Sequence, residues 1–327
     1  MKARYRYRFY PTKEQKPKLA QLFGCIRVVW NDALALCKNL GKALNYNKLS
    51  SLLTIAKKSE ERKWLRDVSA VPLQQTLRNL ATAYKNFFNS CKGKRKGKKV
   101  LPPKFKKRSN QQSAAFAKSA FSMEGQQVYL AKIGNINPIF SRELPSVPTS
   151  LTVIKDSADR YFISFVVEIP PQNLPKCDSS VGIDLGIIDF ATLSNGEKIK
   201  APKPLKKKLK KLRKLQRNLA RKTKGSKRRE KARKRVAKLY AKIKDTRGDF
   251  LHKLSTKIIR ENQTIILEDL NVSGMLRNRK LSRAISDLGW RSFRTMLEAK
   301  ALMYGREFRV IDRWEPTSQT CSCCGFR

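Results

Sequence analysis

Val181-Gly182-Ile183-Asp184-Leu185-Gly186 is the stretch of this 327-residue chain from which its fold can be worked out. It is a short apolar run with one carboxylate at its centre and glycines on both sides. A second run of this kind, Ile265-Ile266-Leu267-Glu268-Asp269-Leu270, follows later. Both runs predict buried β-strands, where a carboxylate is costly unless it meets a cation or a hydrogen-bonding partner. Two strands that each carry an acid therefore indicate a Mg²⁺ site suited to phosphodiester chemistry.

The charge of the whole chain points to a polyanionic partner. Lys and Arg number 73 against 25 Asp and Glu, which gives a formal net charge of +48. A field of this sign and size concentrates nucleic acid. No apolar run approaches the roughly 18 residues of a membrane-spanning helix, and the N-terminus lacks the apolar core of a signal peptide. We therefore expect nucleic acid, and no membrane, as the partner.

The first predicted strand has one cationic face. Over residues 2–9, apolar and mostly aromatic residues alternate strictly with Lys2, Arg4, Arg6 and Arg8. Alternation with a period of two is typical of a strand that buries one side. Its cationic side is either a solvated edge or a nucleic-acid contact.

Helical periodicity follows the first strand. Thr12-Lys13-Glu14-Gln15 has the form of a capping box, and apolar residues then recur at helical spacing until Gly41. Further helices are predicted at about residues 47–58 and 72–91. We interpret these stripes as the core of a helical domain that is inserted after the first strand.

Residues 92–108 are predicted to be a basic loop rather than a packed element. They contain 10 Lys or Arg among 17 residues, together with two glycines and two prolines. Such a loop is either a solvated linker or a phosphate-contacting segment, and its charge density favours the second. The proposed contacts are Lys104, Lys106, Lys107 and Arg108.

Strand-like runs at residues 127–133, 151–155 and 161–169 complete the first half of the chain. Together with the first strand they predict a small antiparallel β-barrel that is interrupted by the helices. Prolines at 170, 171 and 175 mark a linker, so we place a domain boundary near Lys176.

The second half combines short strands with a strongly basic tract. Strands at residues 181–185, 190–193 and 197–199 are expected to pair antiparallel. Residues 203–235 contain 19 Lys or Arg, but their leucines keep helical phase, which predicts an antiparallel helical hairpin. Lys207, Lys211 and Lys214 are its proposed nucleic-acid contacts.

The remaining elements suggest an RNase H-like α/β domain. A helix at residues 250–259 leads to a strand at 265–270, which is expected to lie parallel to the strand of Asp184 because helices intervene. A helix at 290–304 and a strand at 308–311 follow. In such a fold Asp184 and Glu268 reach the same metal, whereas strand alternation points Asp269 to the opposite face. Asp189 is a weaker ligand candidate.

The Gly-x-Asp-x-Gly pattern has a second interpretation. It also occurs in actin-like ATPases, where the loop holds phosphate, so the motif alone leaves both interpretations open. The net charge of +48 favours a nuclease.

With Thr317-Ser318-Gln319-Thr320-Cys321-Ser322-Cys323-Cys324-Gly325, the two acidic motifs resemble the TnpB family. These are RNA-guided nucleases of bacterial and archaeal insertion sequences, related to type V CRISPR effectors. The resemblance implies an α+β multidomain protein. Its domains are a wedge β-barrel at residues 1–10 and 100–176, a helical recognition domain at 11–99, and an RNase H-like RuvC nuclease domain at 177–327. That last domain includes the basic hairpin at 203–245 and a partial zinc-binding motif at 317–327.

The resemblance also implies an activity and a set of partners. Asp184 and Glu268 correspond to the first and second RuvC carboxylates, which are catalytic and hold Mg²⁺. Cys321 and Cys324 correspond to the first half of a structural Zn²⁺ site. The implied partners are a guide RNA derived from the transposon end and double-stranded target DNA with an adjacent motif read by the protein. The implied location is the prokaryotic cytoplasm, in association with the nucleoid, while the oligomeric state is left open.

The sequence departs from the family pattern at its C-terminus. A structural zinc takes four ligands, and the second Cys pair and the third RuvC carboxylate are expected beyond Arg327. Cys323 is an extra cysteine, and Asp287, Asp312 and Glu315 are acids outside the family motif. We interpret the chain as a C-terminally truncated, Mg²⁺-dependent DNA endonuclease. The alternatives are a nuclease-inactive RNA-guided repressor and a non-enzymatic RNA-binding protein.

Overall fold

The computed structural model describes residues 1–95 and 97–312, and the chain divides into two compact units. The first unit comprises residues 2–169, and the second begins at residue 170. Among the described residues, the first unit has two sheets and the second has one.

In residues 2–95 and 97–169, the first unit combines three α-helices with two antiparallel sheets. Five strands pair in the order β2-β7-β8-β1-β6, and three more in the order β3-β4-β5. In chain order the elements are β1 (Lys2–Phe9), α1 (Gln15–Asn39), α2 (Tyr46–Ala56), α3 (Ala70–Cys91), β2 (Gln112–Ala117), β3 (Phe121–Glu124), β4 (Gln127–Leu130), β5 (Gly134–Ile136), β6 (Pro138–Ile139), β7 (Ser150–Lys155) and β8 (Tyr161–Glu168).

The prediction of a small β-barrel in this unit is wrong. Within residues 1–95 and 97–169, β2 and β6 are the two edges of an open five-stranded sheet, and β3, β4 and β5 form a separate sheet. A barrel requires every strand to have two neighbours. The short strands β2, β3, β5 and β6 carry too little periodicity to be recognised, and β3 and β5 pair only with β4 instead of closing the larger sheet.

The predicted first strand is confirmed. Tyr7 and Phe9 are buried in the core at 2% and 1% exposure, while Arg4 and Arg6 are exposed on the other face. β1 pairs with β8 along its whole length, and its last two residues also pair with β6. The last two residues of β1 therefore lie inside the sheet, and its earlier residues lie at the edge.

The capping box predicted at the start of α1 is present. Thr12 Oγ1 accepts a hydrogen bond from the backbone N–H of Gln15 at 3.2 Å, and Gln15 Oε1 accepts one from the backbone N–H of Thr12 at 3.1 Å. The helix ends before Gly41, whose φ of +61° is in the left-handed region.

Helix α1 corrects the expectation that no apolar run approaches the length of a membrane-spanning helix. By length and composition it is apolar enough to cross a membrane, although 50% of its most apolar window is buried within the chain. Its buried residues, which include Leu19, Leu22 and Leu34, contribute to the core of the first unit. That packing is typical of the core helix of a globular domain.

The second unit is built on a mixed five-stranded sheet. Its strand order is β11-β10-β9-β12-β13, in which β9, β10 and β11 are antiparallel neighbours and β12 is parallel to both β9 and β13. The elements are β9 (Ser180–Asp184), β10 (Ala191–Leu193), β11 (Lys198–Ile199), α4 (Pro204–Ala220), α5 (Lys227–Glu261), β12 (Thr264–Glu268), α6 (Val272–Met275), α7 (Ser282–Leu288), α8 (Trp290–Tyr304) and β13 (Glu307–Ile311). This pairing agrees with the antiparallel and parallel arrangement predicted from the sequence.

The core of this unit lies on one face of the sheet. Ile183 and Leu267 from the strands pack in one buried cluster with Phe293 from α8. The ring of Phe190 makes edge-on contacts with Phe250 and Phe293, at centroid distances of 5.2 and 5.1 Å. Each such buried side chain stabilises the fold by about 1.5–3 kcal/mol, so this face is the stable part of the unit.

Helix α5 differs from the prediction because it is one helix of 35 residues rather than two. Its first half packs against α4 through a cluster that includes Leu212, Val236 and Ile243. Its second half packs on the sheet through residues such as Leu254 and Ile258. A single glycine in the helix interior, Gly248, costs only about 1 kcal/mol relative to alanine, so it does not end the helix.

Candidate functional site

Asp184 and Glu268 are the last residues of two neighbouring parallel strands. The register pairs Gly182 with Ile266 and Ile183 with Leu267, so Asp184 and Glu268 follow at the same level. Since Ile183 and Leu267 face the core at 3% and 1% exposure, strand alternation places both acids on the opposite face. Two carboxylates thus lie on one face at the carboxyl edge of the sheet.

The expectation that these two acids are buried is wrong. Asp184 is exposed and Glu268 is half-buried, because each residue ends its strand on the face that α5 and α8 do not cover. Solvent reaches this position, so a hydrated cation or a phosphodiester can approach it.

Asp269 faces the other side of the sheet, as strand alternation predicts. Its Oδ1 lies 2.6 Å from Nη1 of Arg294, which belongs to α8 on the core side. Glu298 also pairs with Arg294, at 2.9 Å from Nε. Together these carboxylates raise the pKa of the Arg294 guanidinium. Asp269 is therefore part of an ion-pair network and does not face the same side as Asp184 and Glu268.

The other acids considered from the sequence do not join the pair. Asp287 is buried and binds backbone N–H groups at the start of α4. Because Ile311 pairs with Glu268, alternation places Asp312 on the Asp269 face. Asp189 is half-buried in the loop after β9, and Glu315 lies outside the described residues. In the described part of the chain, no group of three His, Cys, Asp or Glu side chains is placed to hold a metal ion.

Gly186 allows the chain to turn immediately after Asp184. A Cβ at this position would lie 2.8 Å from the backbone oxygen of Asp189. The backbone N–H of Gly186 donates to the carbonyl of Phe190 at 3.3 Å, which closes the loop. The second glycine of the motif is thus explained by a close backbone approach.

We expect Gly186→Ala to destabilise the second unit and to displace this loop. The methyl group must move a backbone carbonyl, and such overpacking costs about 1–3 kcal/mol. Thermal unfolding of the two purified proteins measures the difference. Gly248→Ala is the matched control, because nothing lies within 4 Å of the added Cβ and alanine favours the helix by up to about 1 kcal/mol. Equal stability of the wild type and Gly186→Ala would contradict this explanation of the glycine.

The basic tract forms the helical hairpin predicted from the sequence. Lys207, Lys211 and Lys214 are exposed and follow each other at helical spacing along α4. Leu212 is buried against α5 on the other side of the helix. The three ammonium groups therefore form one cationic row along a packed helix.

The cations of β1 meet aromatic rings on the outer face of the first sheet. The guanidinium carbon atoms of Arg6 and Arg8 lie 4.8 and 5.0 Å from the ring centre of Phe162. Lys2 Nζ lies 3.6 Å from Glu168 Oε1, in an exposed ion pair. Arg4, Arg6 and Phe162 together present charge and an aromatic ring on one sheet face.

The segment predicted as a free basic loop is docked on α1. Asn31 Oδ1 accepts from the backbone N–H of Lys106 at 2.8 Å, and Trp30 Nε1 donates to the carbonyl of Lys104 at 3.0 Å. Lys106 Nζ lies 4.3 Å from the Trp30 ring centre, and burial lowers the pKa of this lysine. Lys104, Lys107 and Arg108 remain exposed for a partner.

One predicted part of the site lies outside the residues that the structure describes, and another part was not predicted from the sequence. Cys321 and Cys324, the proposed zinc ligands, are outside the described residues. Conversely, no sequence pattern pointed to Lys203, which contacts the loop after Asp184, or to Arg247, which contacts Asp287 of α7. A lysine in left-handed backbone conformation, with φ of +42° at Lys203, has no sequence signature.

Known family profiles match three segments of the chain. A family profile described as "Probable transposase" matches residues 164–279, and one described as "Cas12f1-like, TNB domain" matches residues 290–327. A profile described as "Helix-turn-helix domain" matches residues 1–43, although these residues form β1 and the single helix α1 here.

Two curated relatives are similar over most of their length. A protein of Streptomyces pristinaespiralis, described as "Putative RNA-guided DNA endonuclease", is 45% identical over 99% of this chain and 81% of its own length. InsQ of Escherichia coli K12, which carries the same description, is 31% identical over 98% of this chain and 83% of its own length.

A solved structure also gives a match. It is the cryo-EM structure of a Cas12f1-sgRNA-target DNA complex, which matches 99% of this chain and 92% of its own chain, with 13% identity and a TM-score of 0.49. The family is shown by the sequence identity to the two curated relatives. By that identity, this chain belongs to the TnpB family, whose relatives are described as RNA-guided DNA endonucleases.

Proposed function

We propose that this chain is an RNA-guided DNA endonuclease that hydrolyses phosphodiesters of target DNA at Asp184 and Glu268. The observation that carries the proposal is the position of these two acids side by side, at the ends of neighbouring parallel strands and on the same face of the sheet. Their position at the solvent-accessible edge of a sheet suits a large polymeric substrate. The descriptions of the relatives support the same activity.

The donor set fits Mg²⁺, which prefers carboxylate and water oxygens. Asp184 and Glu268 would hold the ion, and their negative charge would balance it. When bound, Mg²⁺ would polarise the scissile phosphate and lower the pKa of the attacking water. The exposed carboxylate of Asp184 leaves room for both the water and the phosphodiester, while the core beneath Ile183 and Leu267 fixes the strand ends.

The cationic surfaces of the chain suit the nucleic-acid partners. We assign the guide RNA, derived from the transposon end, to Lys207, Lys211 and Lys214 on α4 and to the cationic face of β1. In RNA-guided systems base pairing reads the sequence, and protein cations hold the heteroduplex backbone. Target double-stranded DNA would be recognised through its adjacent motif, in the prokaryotic cytoplasm at the nucleoid.

We also propose the family's domain assignment for this chain. Residues 1–10 and 100–176 would serve as the wedge, residues 11–99 as the recognition domain, and residues 177–327 as the RuvC domain. Cys321 and Cys324 would contribute two ligands to a structural Zn²⁺.

Replacing Lys207, Lys211 and Lys214 with glutamine is expected to weaken RNA binding and reduce its salt dependence. Three lost phosphate contacts lower the slope of log K against log salt concentration by about 2–3. Filter binding of the transposon-end RNA at several salt concentrations measures this slope. The control variant replaces three exposed lysines near the start of α1 with glutamine, which removes the same charge from another surface. They are Lys13, Lys16 and Lys18. An equal change of slope in both variants would show that only net charge matters.

The proposed activity is tested by cleavage of plasmid DNA that carries a matching target. The chain is purified with its RNA and assayed with Mg²⁺, with excess EDTA, and with a non-matching plasmid. We expect cutting only with Mg²⁺ and the matching target. Guide-dependent DNA binding without cutting would instead support the alternative of an RNA-guided repressor. RNA binding without DNA recognition would support a simple RNA-binding protein.

A further inference from the structure

The start of α4, with the preceding Lys203, contacts two segments that follow the acid-bearing strands in the chain. One segment is the loop at residues 186–190, which follows Asp184. The other is α7, which lies between Glu268 and α8. The start of the basic hairpin is therefore connected directly to the loop after Asp184 and to α7 in the segment that joins Glu268 to α8.

Lys203 makes the connection to the first segment. Its Nζ donates to the carbonyls of Ile187 and Ile188 at 2.8 and 3.0 Å. Its backbone has φ of +42° and ψ of +56°, a conformation that is strained for lysine and persists only where the surroundings fix it. The two hydrogen bonds are such surroundings, so the start of α4 and the loop after Asp184 restrain each other.

Asp287 makes the connection to the second segment. Its two carboxylate oxygens accept from the backbone N–H groups of Leu205 and Lys206 at 3.1 and 3.0 Å, which caps α4. Arg247 of α5 donates through Nη2 to Oδ1 of Asp287 at 3.1 Å and through Nε to its backbone carbonyl at 2.8 Å. Asp287 is only 4% exposed. A buried carboxylate with all these partners joins α4, α5 and α7 at one point.

We propose that Lys203 and Asp287 are positioning residues that couple nucleic acid bound on the α4–α5 hairpin to the alignment of the Asp184 loop. Phosphates along the exposed row Lys207, Lys211 and Lys214 restrain α4, and Lys203 passes that restraint to residues 187 and 188. Asp287 keeps the first turn of α4 in place while this happens. The inference rests on the proposed function for its biological meaning, but the coupling itself is a property of the folded chain.

Hydrogen–deuterium exchange of residues 186–190, with and without a 20-base-pair RNA–DNA hybrid, tests the coupling. We expect the hybrid to slow exchange of these amides by about fivefold or more in the wild type, the lower end of typical couplings between sites. Lys203→Met and Asp287→Asn should lose this protection while still binding the hybrid. Lys203→Arg should restore it, because a guanidinium can donate to the same two carbonyls. Lys200→Met, an exposed lysine three residues earlier, should behave as wild type.

Two results would overturn the coupling. One is a hybrid that binds the wild type without slowing exchange in the loop. The other is equal protection in the wild type, Lys203→Met and Asp287→Asn. Thermal unfolding of each variant shows whether it is folded, and the Lys203→Arg rescue separates a positioning role from general destabilisation. A chain that shows the coupling but does not cut plasmid DNA would contradict the proposed function alone.

Discussion

Replacing Asp184 with alanine is expected to abolish target cleavage while guide-dependent DNA binding is retained. The variant loses one of the two carboxylates on the open face of the sheet, and with it much of the negative charge that we propose holds Mg²⁺. Bound metal stabilises transition-state charge by several kcal/mol, which corresponds to a rate loss of about 10³-fold or more. Plasmid cleavage and electrophoretic mobility shift on the same preparations measure the two properties.

Asp178→Ala is the matched control for Asp184→Ala. Asp178 is an exposed acid two residues before β9, so this variant removes the same charge near the same strand. We expect it to cut at the wild-type rate. Cleavage by Asp184→Ala at that rate would exclude Asp184 from the reaction, and loss of DNA binding together with cleavage would indicate a structural rather than a catalytic role.

Replacing Phe293 with alanine is expected to give the largest loss of stability among these variants. The ring is fully buried and meets Phe190 edge-on at 5.1 Å. Truncation of a buried phenylalanine costs about 3–5 kcal/mol, a large part of the roughly 5–15 kcal/mol that stabilises a typical domain. Because Phe190 closes the loop after Asp184, cleavage should fall together with stability.

Leu302→Ala in the same helix provides the comparison for Phe293→Ala. Leu302 is 70% exposed, and substitutions at such sites usually change stability by less than about 0.5 kcal/mol. Chemical denaturation followed by tryptophan fluorescence measures both variants. Similar unfolding midpoints for the two would show that α8 does not form the core described here.

The sheet of the second unit could be predicted because its signals are local. The runs around Asp184 and Glu268 are apolar, short and separated by helical segments, which is enough to predict parallel strands. The same alternation correctly placed Asp269 on the other face, where it meets Arg294. The expected burial of Asp184 and Glu268 failed because burial depends on where each strand ends, and boundaries are poorly encoded in periodicity.

Features that depend on distant partners could not be predicted. The barrel was expected from strand-like runs, but which strands pair at the edges is decided by long-range packing. Residues 104–108 appear as a loop by composition, yet Trp30 and Asn31 of α1 bind them. The contact of Lys203 with the loop after Asp184 depends on one left-handed residue and spans 15 and 16 positions to its two acceptors.

The pairing of β1 with β8 determines when the first unit can finish folding during synthesis. Lys2 pairs with Glu168 and Phe9 pairs with Tyr161, so the earliest residues wait for the last strand of the unit. A growing chain therefore exposes its cationic first strand, and the aromatic residues Tyr7 and Phe9, until residue 168 has left the ribosome. Folding units usually form from the N-terminus during synthesis, but here α1, α2 and α3 are available first and the N-terminal strand is added late. A chain that ends before β8 lacks the strand that pairs with β1 along its whole length. Such a truncated chain therefore cannot complete the first sheet.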